Sequence, residues 1–177
     1  GTAETLVLDA DTGDITLSSS VSGAGNAVVA DGLTTLTITN AEVVSTGAVN
    51  ISGALSTSNA LTGSFTSSGL LTAGSIDLDG TAFNLNNGFA TTGIVDIGNS
   101  GLLTLAGTAS TAGDAVSVSG AANLGVNITT TADLIDLNGT VVIAEGTSVT
   151  LSTGTGEGNI EIAGTVNGTT GGTAETL

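Results

Sequence analysis

The sequence predicts an all-β fold: a right-handed parallel β-helix (β-solenoid) of about eight coils, each of roughly 19–25 residues. Three observations predict it. Short apolar–polar–apolar triplets recur about every 20 residues and are followed by turn residues. Hydrophobic residues make up 40% of the chain, but the only aromatic residues are three phenylalanines, which suits a narrow core. Proline is absent from all 177 residues, so every backbone N–H can join a continuous hydrogen-bond ladder.

Five well-matched triplets define the repeat. They begin at Ile76, Val95, Val116, Ile135 and Ile160, with steps of 19, 21, 19 and 25 residues. Weaker matches extend the series backwards to Ala54, Leu36 and Ile15. Because side chains alternate along a strand, the apolar pair of each triplet should point inward and the middle residue outward. The predicted outward column is Thr16, Thr37, Ser56, Asp77, Asp96, Ser117, Asp136 and Glu161.

Further triplets predict two or three strands in each coil. FNL at 83–85, LTL at 103–105 and VVI at 141–143 follow a first triplet, and VNI at 49–51 occupies another part of the coil. The dipeptides at 79–80 and 138–139 predict corners with glycine at positive φ. Eight stacked coils would advance about 38 Å. The alternative fold, an antiparallel sandwich of short strands, gives no reason for similarity between segments about 20 residues apart.

A larger repeat is also present. The hexapeptide GTAETL occurs at 1–6 and again at 172–177, which is an offset of 171 residues. We therefore predict that residues 1–171 form one β-solenoid repeat unit and that residues 172–177 begin the next tandem copy. Tandem or neighbouring copies of the chain, stacked end to end, are the expected partners. The lack of an initiator Met and of a signal peptide suggests an internal fragment or a processed product.

The composition and net charge of the chain argue against several classes of function. The chain has 16 acidic residues and no Lys, Arg or His, which gives a formal net charge of −16. Phosphate groups of nucleic acids and anionic lipids are bound by Lys and Arg, and no apolar run approaches the roughly 18 residues of a membrane helix. We therefore expect no nucleic-acid partner and no membrane insertion. Without His, Lys or Cys to activate its hydroxyl groups, the chain is not expected to be an enzyme.

The segment DADTGD offers a candidate calcium site. Its carboxylates, Asp9, Asp11 and Asp14, have the spacing of the start of a calcium loop around a tight glycine turn. The distal bidentate Glu of such a loop is missing, so the alternative is an acidic corner solvated by water. Apart from calcium, no cofactor is expected.

A second candidate cation site is the acidic part of the outward column. This acidic ladder consists of Asp77, Asp96, Asp136 and Glu161. In adjacent coils, two of its carboxylates would lie roughly 5 Å apart and repel by about 1 kcal/mol in bulk water. Divalent cations, a raised pKa or an outward splay of the side chains could each relieve this repulsion. An enzyme that cleaves polysaccharides with the pair Asp77 and Asp96 is the remaining catalytic hypothesis.

Glycine corners followed by apolar–polar–apolar strands run through nearly the whole chain. The segments are TGDITL at 12–17, TGAVNI at 46–51, AGSIDL at 73–78, TGIVDI at 92–97 and GEGNIEI at 156–162. In this pattern the chain resembles the filamentous-haemagglutinin type of adhesin and the wider group of giant bacterial β-strand-repeat surface proteins. The resemblance implies an extracellular β-helix on the surface of a diderm bacterium.

The functional prediction that follows is structural. We expect a secreted repeat that forms a stiff rod, fibre or sheath on a bacterial surface. The first alternative is an adhesin stalk that binds a surface or a glycan, although no aromatic platform for sugars is visible. Ice binding by outward Thr and Ser is a weaker alternative, because the predicted column mixes Thr, Ser, Asp and Glu.

Overall fold

A computed structural model of the protein describes residues 3–18, 21–22, 33–107, 110–171 and 176–177. All regular secondary structure in this part of the chain is β-strand, and every strand pair is parallel. The strands are β1 (Glu4–Asp9), β2 (Ile15–Leu17), β3 (Val21–Ser22), β4 (Leu33–Asn40), β5 (Val43–Thr46), β6 (Val49–Asn50), β7 (Ala54–Ser67), β8 (Leu71–Ala73), β9 (Ser75–Leu85), β10 (Phe89–Thr91), β11 (Val95–Asn99), β12 (Leu102–Leu105), β13 (Ser110–Thr111), β14 (Val116–Val118), β15 (Ala121–Leu124), β16 (Ile128–Thr129), β17 (Ile135–Leu137), β18 (Val141–Ile143), β19 (Leu151–Ser152), β20 (Ile160–Ile162) and β21 (Val166–Gly168).

The strands form three sides of a β-solenoid, and each coil visits the sides in the same order. The first side contains β1, β4, β11, β14, β17 and β20, and the second side contains β2, β5, β12, β15, β18 and β21. The long strands β7 and β9 turn the corner and contribute their first part to the first side and their last part to the second. The third side is a separate sheet of β3, β6, β8, β10, β13, β16 and β19.

The core consists of inward-facing columns of apolar side chains. Alternation along each short strand buries the outer two residues of a triplet and leaves the middle one outside, as in β14 and β17. All three phenylalanines are buried. Phe65 and Phe83 are neighbours in register on the second side, with ring centroids 6.3 Å apart and planes tilted by 45°. Few large residues are needed because the interior is only a few side chains wide.

Several polar residues that face inward are hydrogen-bonded to the next coil or to their own corner, whereas the buried Thr46 hydroxyl has no partner among the described residues. The buried Thr57 hydroxyl accepts a bond from the backbone N–H of Asp79 (2.7 Å) and lies 3.0 Å from the Asp79 carbonyl oxygen, to which it can donate. The buried Asn99 amide accepts from Gly120 N (2.8 Å) and donates to the carbonyl of Ala121 (2.9 Å). These bonds satisfy groups that would otherwise be costly to bury, and they connect consecutive coils.

Glycines stack at the corners because successive coils approach too closely for a side chain. A Cβ at Gly139 would lie 2.2 Å from the carbonyl oxygen of Gly120, and a Cβ at Gly164 would lie 2.2 Å from that of Gly139. The prediction that the glycines at 80 and 139 take a positive φ was wrong, since neither is among the positive-φ residues. Contact between coils, rather than backbone conformation, explains these two glycines.

The predicted register of the first side is confirmed from Thr37 onward. Residues of the outward column pair from Thr37 through Ser56, Asp77, Asp96, Ser117 and Asp136 to Glu161. The prediction for the first coil was wrong. Thr16 pairs with Ser45 on the second side, and the residue that pairs with Thr37 in the first coil is Val7. The triplet Leu6–Val7–Leu8 was not predicted, because its middle residue is apolar. It therefore lacks the alternation of apolar and polar residues seen in the other triplets of the first side.

The first side has eight paired levels from β1 to β20, but only about five turns of the solenoid are regular, slightly fewer than the eight coils expected. Irregularity at both ends accounts for the difference. The first step on the first side, from Val7 to Thr37, spans 30 residues, and the β1–β4 pair contains two register shifts. After β21, an isolated bridge between Ser148 and Thr176 stands in place of a third-side strand. The second GTAETL lies largely outside the described residues, so the tandem repeat (residues 1–171 and 172–177) stays a prediction.

Candidate functional site

The acidic ladder lies on the solvent side of the first sheet. Asp77 pairs with Asp96 in the next coil, and Asp136 pairs with Glu161, while Ser117 separates the two pairs. Each carboxylate is the middle residue of a triplet whose other two residues face the core, so strand alternation fixes its outward direction. The structure therefore brings all four predicted residues into one column, as two adjacent pairs.

Asp77 is the ladder residue with the most perturbed surroundings. Partial burial raises the pKa of its carboxyl group, and the nearby negative charges of Asp79 and Asp96 raise it further. Asp79 belongs to the same strand, β9, two residues further on, and so faces the same way. Asp136 differs in its surroundings because Asn138 donates a hydrogen bond to its Oδ2 at 2.9 Å.

Negative charge is distributed unevenly around the solenoid. Apart from Glu145, every described carboxylate lies on the first side or at one of its two bounding corners. Glu42 lies at the corner between the first and second sides, for example, whereas Asp114 and Asp133 lie between the third and first. The described strand residues of the second and third sides carry no charge. One side of the molecule is therefore acidic and the other two are neutral.

The sequence did not lead us to expect this asymmetry. The signal was present in the triplets of the second side, whose middle residues Asn84, Thr104 and Val142 are uncharged. Triplets of the first and second sides look alike apart from this middle residue. Their grouping by side becomes visible only once the path of the chain is known.

The predicted calcium segment forms a capped turn. The Asp9 carboxylate Oδ1 accepts hydrogen bonds from Asp11 N (3.0 Å) and from Asn40 Nδ2 (3.3 Å), and these two bonds lower its pKa. Asp11 has a positive φ of 54°. Within the described ranges, which include Asp9, Asp11 and Asp14, no three acidic residues are grouped to hold a metal ion. The calcium prediction gains no support from this geometry and stays a prediction.

A shallow cleft of about 530 Å³ opens at the corner between the first and second sides. The residues that line it are Leu61, Thr62, Asp79, Gly80, Thr81, Gly98 and Ser100. One carboxylate among hydroxyl groups can accept hydrogen bonds from a neutral polyol or attract a cation. The chain has no basic residue to hold an acidic ligand there.

Fold and surface together define the class of this protein: a parallel β-solenoid with one acidic side. Comparison with protein-family models, with curated proteins and with solved structures gave no match. None of the described residues forms a helix with the length and apolar character needed to cross a membrane.

Proposed function

We propose that this chain is a structural repeat of an extracellular protein, which stacks with further copies into a stiff rod, fibre or sheath on a bacterial surface. The observation that carries the proposal is the unbroken column of paired residues from Thr37 to Glu161. Backbone hydrogen bonds along this column run parallel to the solenoid axis. Bending the rod would stretch many of them at once, so the repeat resists bending.

The last coil supports stacking with a further copy. Ile160 is 46% exposed and Val166 is 42% exposed, whereas Ile135 and Val141, their partners one coil earlier, are fully buried. The same inward-facing columns therefore end on uncovered apolar side chains. Among the described residues, β20 and β21 pair only with the coil before them. A following coil would bury the exposed apolar side chains and form backbone hydrogen bonds with the outer edges of β20 and β21, and both changes are favourable.

The composition suits exposure outside the cell. Without Lys or Arg the chain offers trypsin-like proteases no cleavage site, and without Cys or Met it lacks the side chains that oxidise most readily. The uncompensated charge of −16 favours solubility of the elongated surface.

Small-angle scattering of the chain and of a tandem protein with two 171-residue copies tests the proposal. We expect the tandem protein to be longer by about 35–40 Å with an unchanged cross-section. Ile160→Asp in the first copy should place a charge in the junction and introduce a hinge. The equally simple change Ile94→Asp, at an exposed position away from the junction, should leave the rod straight. Two copies that tumble independently in the unaltered tandem protein would refute end-to-end stacking.

A further inference from the structure

The described strand residues of the second side form an uncharged surface that the proposed end-to-end stacking leaves uncovered. Six successive levels of its central outward column, here called the neutral face, are Ser45, Thr66, Asn84, Thr104, Asn123 and Val142. These residues pair in unbroken register. Six levels at about 4.8 Å give the face a length of about 24 Å. A four-residue strand makes it about 13 Å wide.

Next to the neutral face, one apolar side chain protrudes between two small ones. Leu102, at the start of β12, is 44% exposed. Its partner in the next coil is Ala121, and the register of β9 with β12 places Ala82 in the same column one coil earlier. A projecting leucine flanked by alanines on both sides is self-complementary. The leucine of one copy can fill the shallow hollow beside the leucine of another.

Charge decides which sides of two copies can meet. The chain has no cation to compensate 16 acidic residues, so contact through the first side would bring like charges together at a cost. At the levels of Leu102, Ala121 and Val141, the corner towards the first side consists of Ser100–Gly101, Ser119–Gly120 and 138–140, which are all uncharged. The corners that bound the face carry Asp79 one coil before Leu102, Glu42 at the level of Ser45 and Glu145 at the level of Val142. The third side is also neutral, but its strands have only two or three residues, and no strand residue whose exposure is described there is a large exposed apolar side chain.

We propose that two copies of this chain associate side by side through their neutral faces, with Leu102 near the centre of the contact. The footprint of about 24 by 13 Å, roughly 300 Å² for each copy, is well below the roughly 800 Å² for each partner of a standard stable interface. A single pair of chains therefore associates weakly. The inference goes beyond the proposed rod and is tested on single chains, so it does not depend on stacking. Stacked copies would multiply the same contact.

Salt distinguishes this contact from a charge-driven one. Because the two copies repel through their net negative charge, association should strengthen as salt rises from about 0.01 M to about 1 M, over which the Debye length falls from about 30 Å to about 3 Å. A contact held by ion pairs would weaken over the same range. The chain itself, at high concentration, is the probe.

Sedimentation equilibrium of three proteins tests the proposal: the unaltered chain, Leu102→Asp and Ile94→Asp. Leu102 and Ile94 are both 44% exposed, so the two variants add the same charge at equally exposed positions. We expect self-association of the unaltered chain, a loss of at least about tenfold in Leu102→Asp because two carboxylates would face each other, and little change in Ile94→Asp. Circular dichroism checks that each variant is folded, and Thr104→Asp provides a second variant on the same face.

The variant Ile160→Asp distinguishes end-to-end stacking from side-by-side pairing. It should leave side-by-side pairing intact even if it abolishes stacking. Scattering from the pair should show a larger cross-section at unchanged length. The proposal is overturned by a monomer at all salt concentrations, by equal effects of Leu102→Asp and Ile94→Asp, or by loss of pairing in Ile160→Asp alone.

Discussion

Asp77 shows how a single residue in a parallel stack is affected by its neighbours in the next coil. Its carboxylate lies beside Asp96 and near Asp79, and partial burial together with these charges raises its pKa. A carboxyl group with a raised pKa in the folded state binds its proton more tightly there than in the unfolded chain. Above that pKa the ionised group therefore destabilises the fold, and the penalty disappears as the pH falls through it.

Replacing Asp77 with Asn should stabilise the protein at pH 7. The gain should be less than about 1 kcal/mol, because Asp77 is only partly buried and solvent screens its repulsion. Urea unfolding followed by circular dichroism measures the gain. It should shrink as the pH is lowered towards and below the ordinary aspartate pKa of 3.8, since the unaltered carboxyl group is then neutral as well.

Glu145→Gln is the matched control for Asp77→Asn. It removes the same charge from a corner between the second and third sides, away from the other described carboxylates. Any benefit from lowering the net charge should appear in both variants. Equal gains in the two proteins, or a loss of stability in Asp77→Asn at neutral pH, would show that the ladder contact has no local effect.

At the scale of the element, the corners determine how closely the coils can stack. Gly120, Gly139 and Gly164 follow one another at the corner between the first and second sides, each against the backbone of the coil before it. The Asn99 side chain begins this series by accepting a hydrogen bond from Gly120 N. The strands hold the ladder in register, and at these three glycines the preceding coil leaves no room for a Cβ.

Gly139→Ala should destabilise the protein by about 1–3 kcal/mol. The new Cβ would lie 2.2 Å from the Gly120 carbonyl oxygen and 2.3 Å from its carbon. Both are backbone atoms that cannot move without shifting the coil. Gly125→Ala is the control, because its Cβ would be no closer than 3.4 Å to any neighbour, and it should change stability by less than about 0.5 kcal/mol. Similar denaturation midpoints for the two variants would contradict the close corner contact.

At the scale of the whole molecule, alternation and spacing were enough to predict the parallel stack and its register from Thr37 to Glu161. The prediction relied on triplets with a polar middle residue. The triplet centred on Val7 was therefore missed, and Thr16 was assigned to the first side instead of the second. The glycine corners were recognised but given the wrong cause, because contact between coils is a tertiary property that a dipeptide does not reveal.

The candidate surfaces were less predictable than the fold. The acidic ladder could be read from the sequence because its residues share one position in successive triplets. The neutral face and the exposed Leu102 could not, since each requires knowing which triplets lie on the same side. The asymmetry of charge around the solenoid axis can be recognised only when the corners are assigned to sides. Because of this asymmetry, the first sides of two copies repel each other, whereas their second sides can associate.

Distances along the outward column test the stacked coils most directly. Because the chain has no Cys, spin labels can be attached to single cysteines introduced at Thr37 and at one of Ser117, Asp136 or Glu161. These positions lie four, five and six coils from Thr37, or about 19, 24 and 29 Å. We expect electron–electron double resonance to give three distances that increase by about 5 Å at each step. Distances that fail to increase in this order, as in an antiparallel sandwich, would contradict the solenoid.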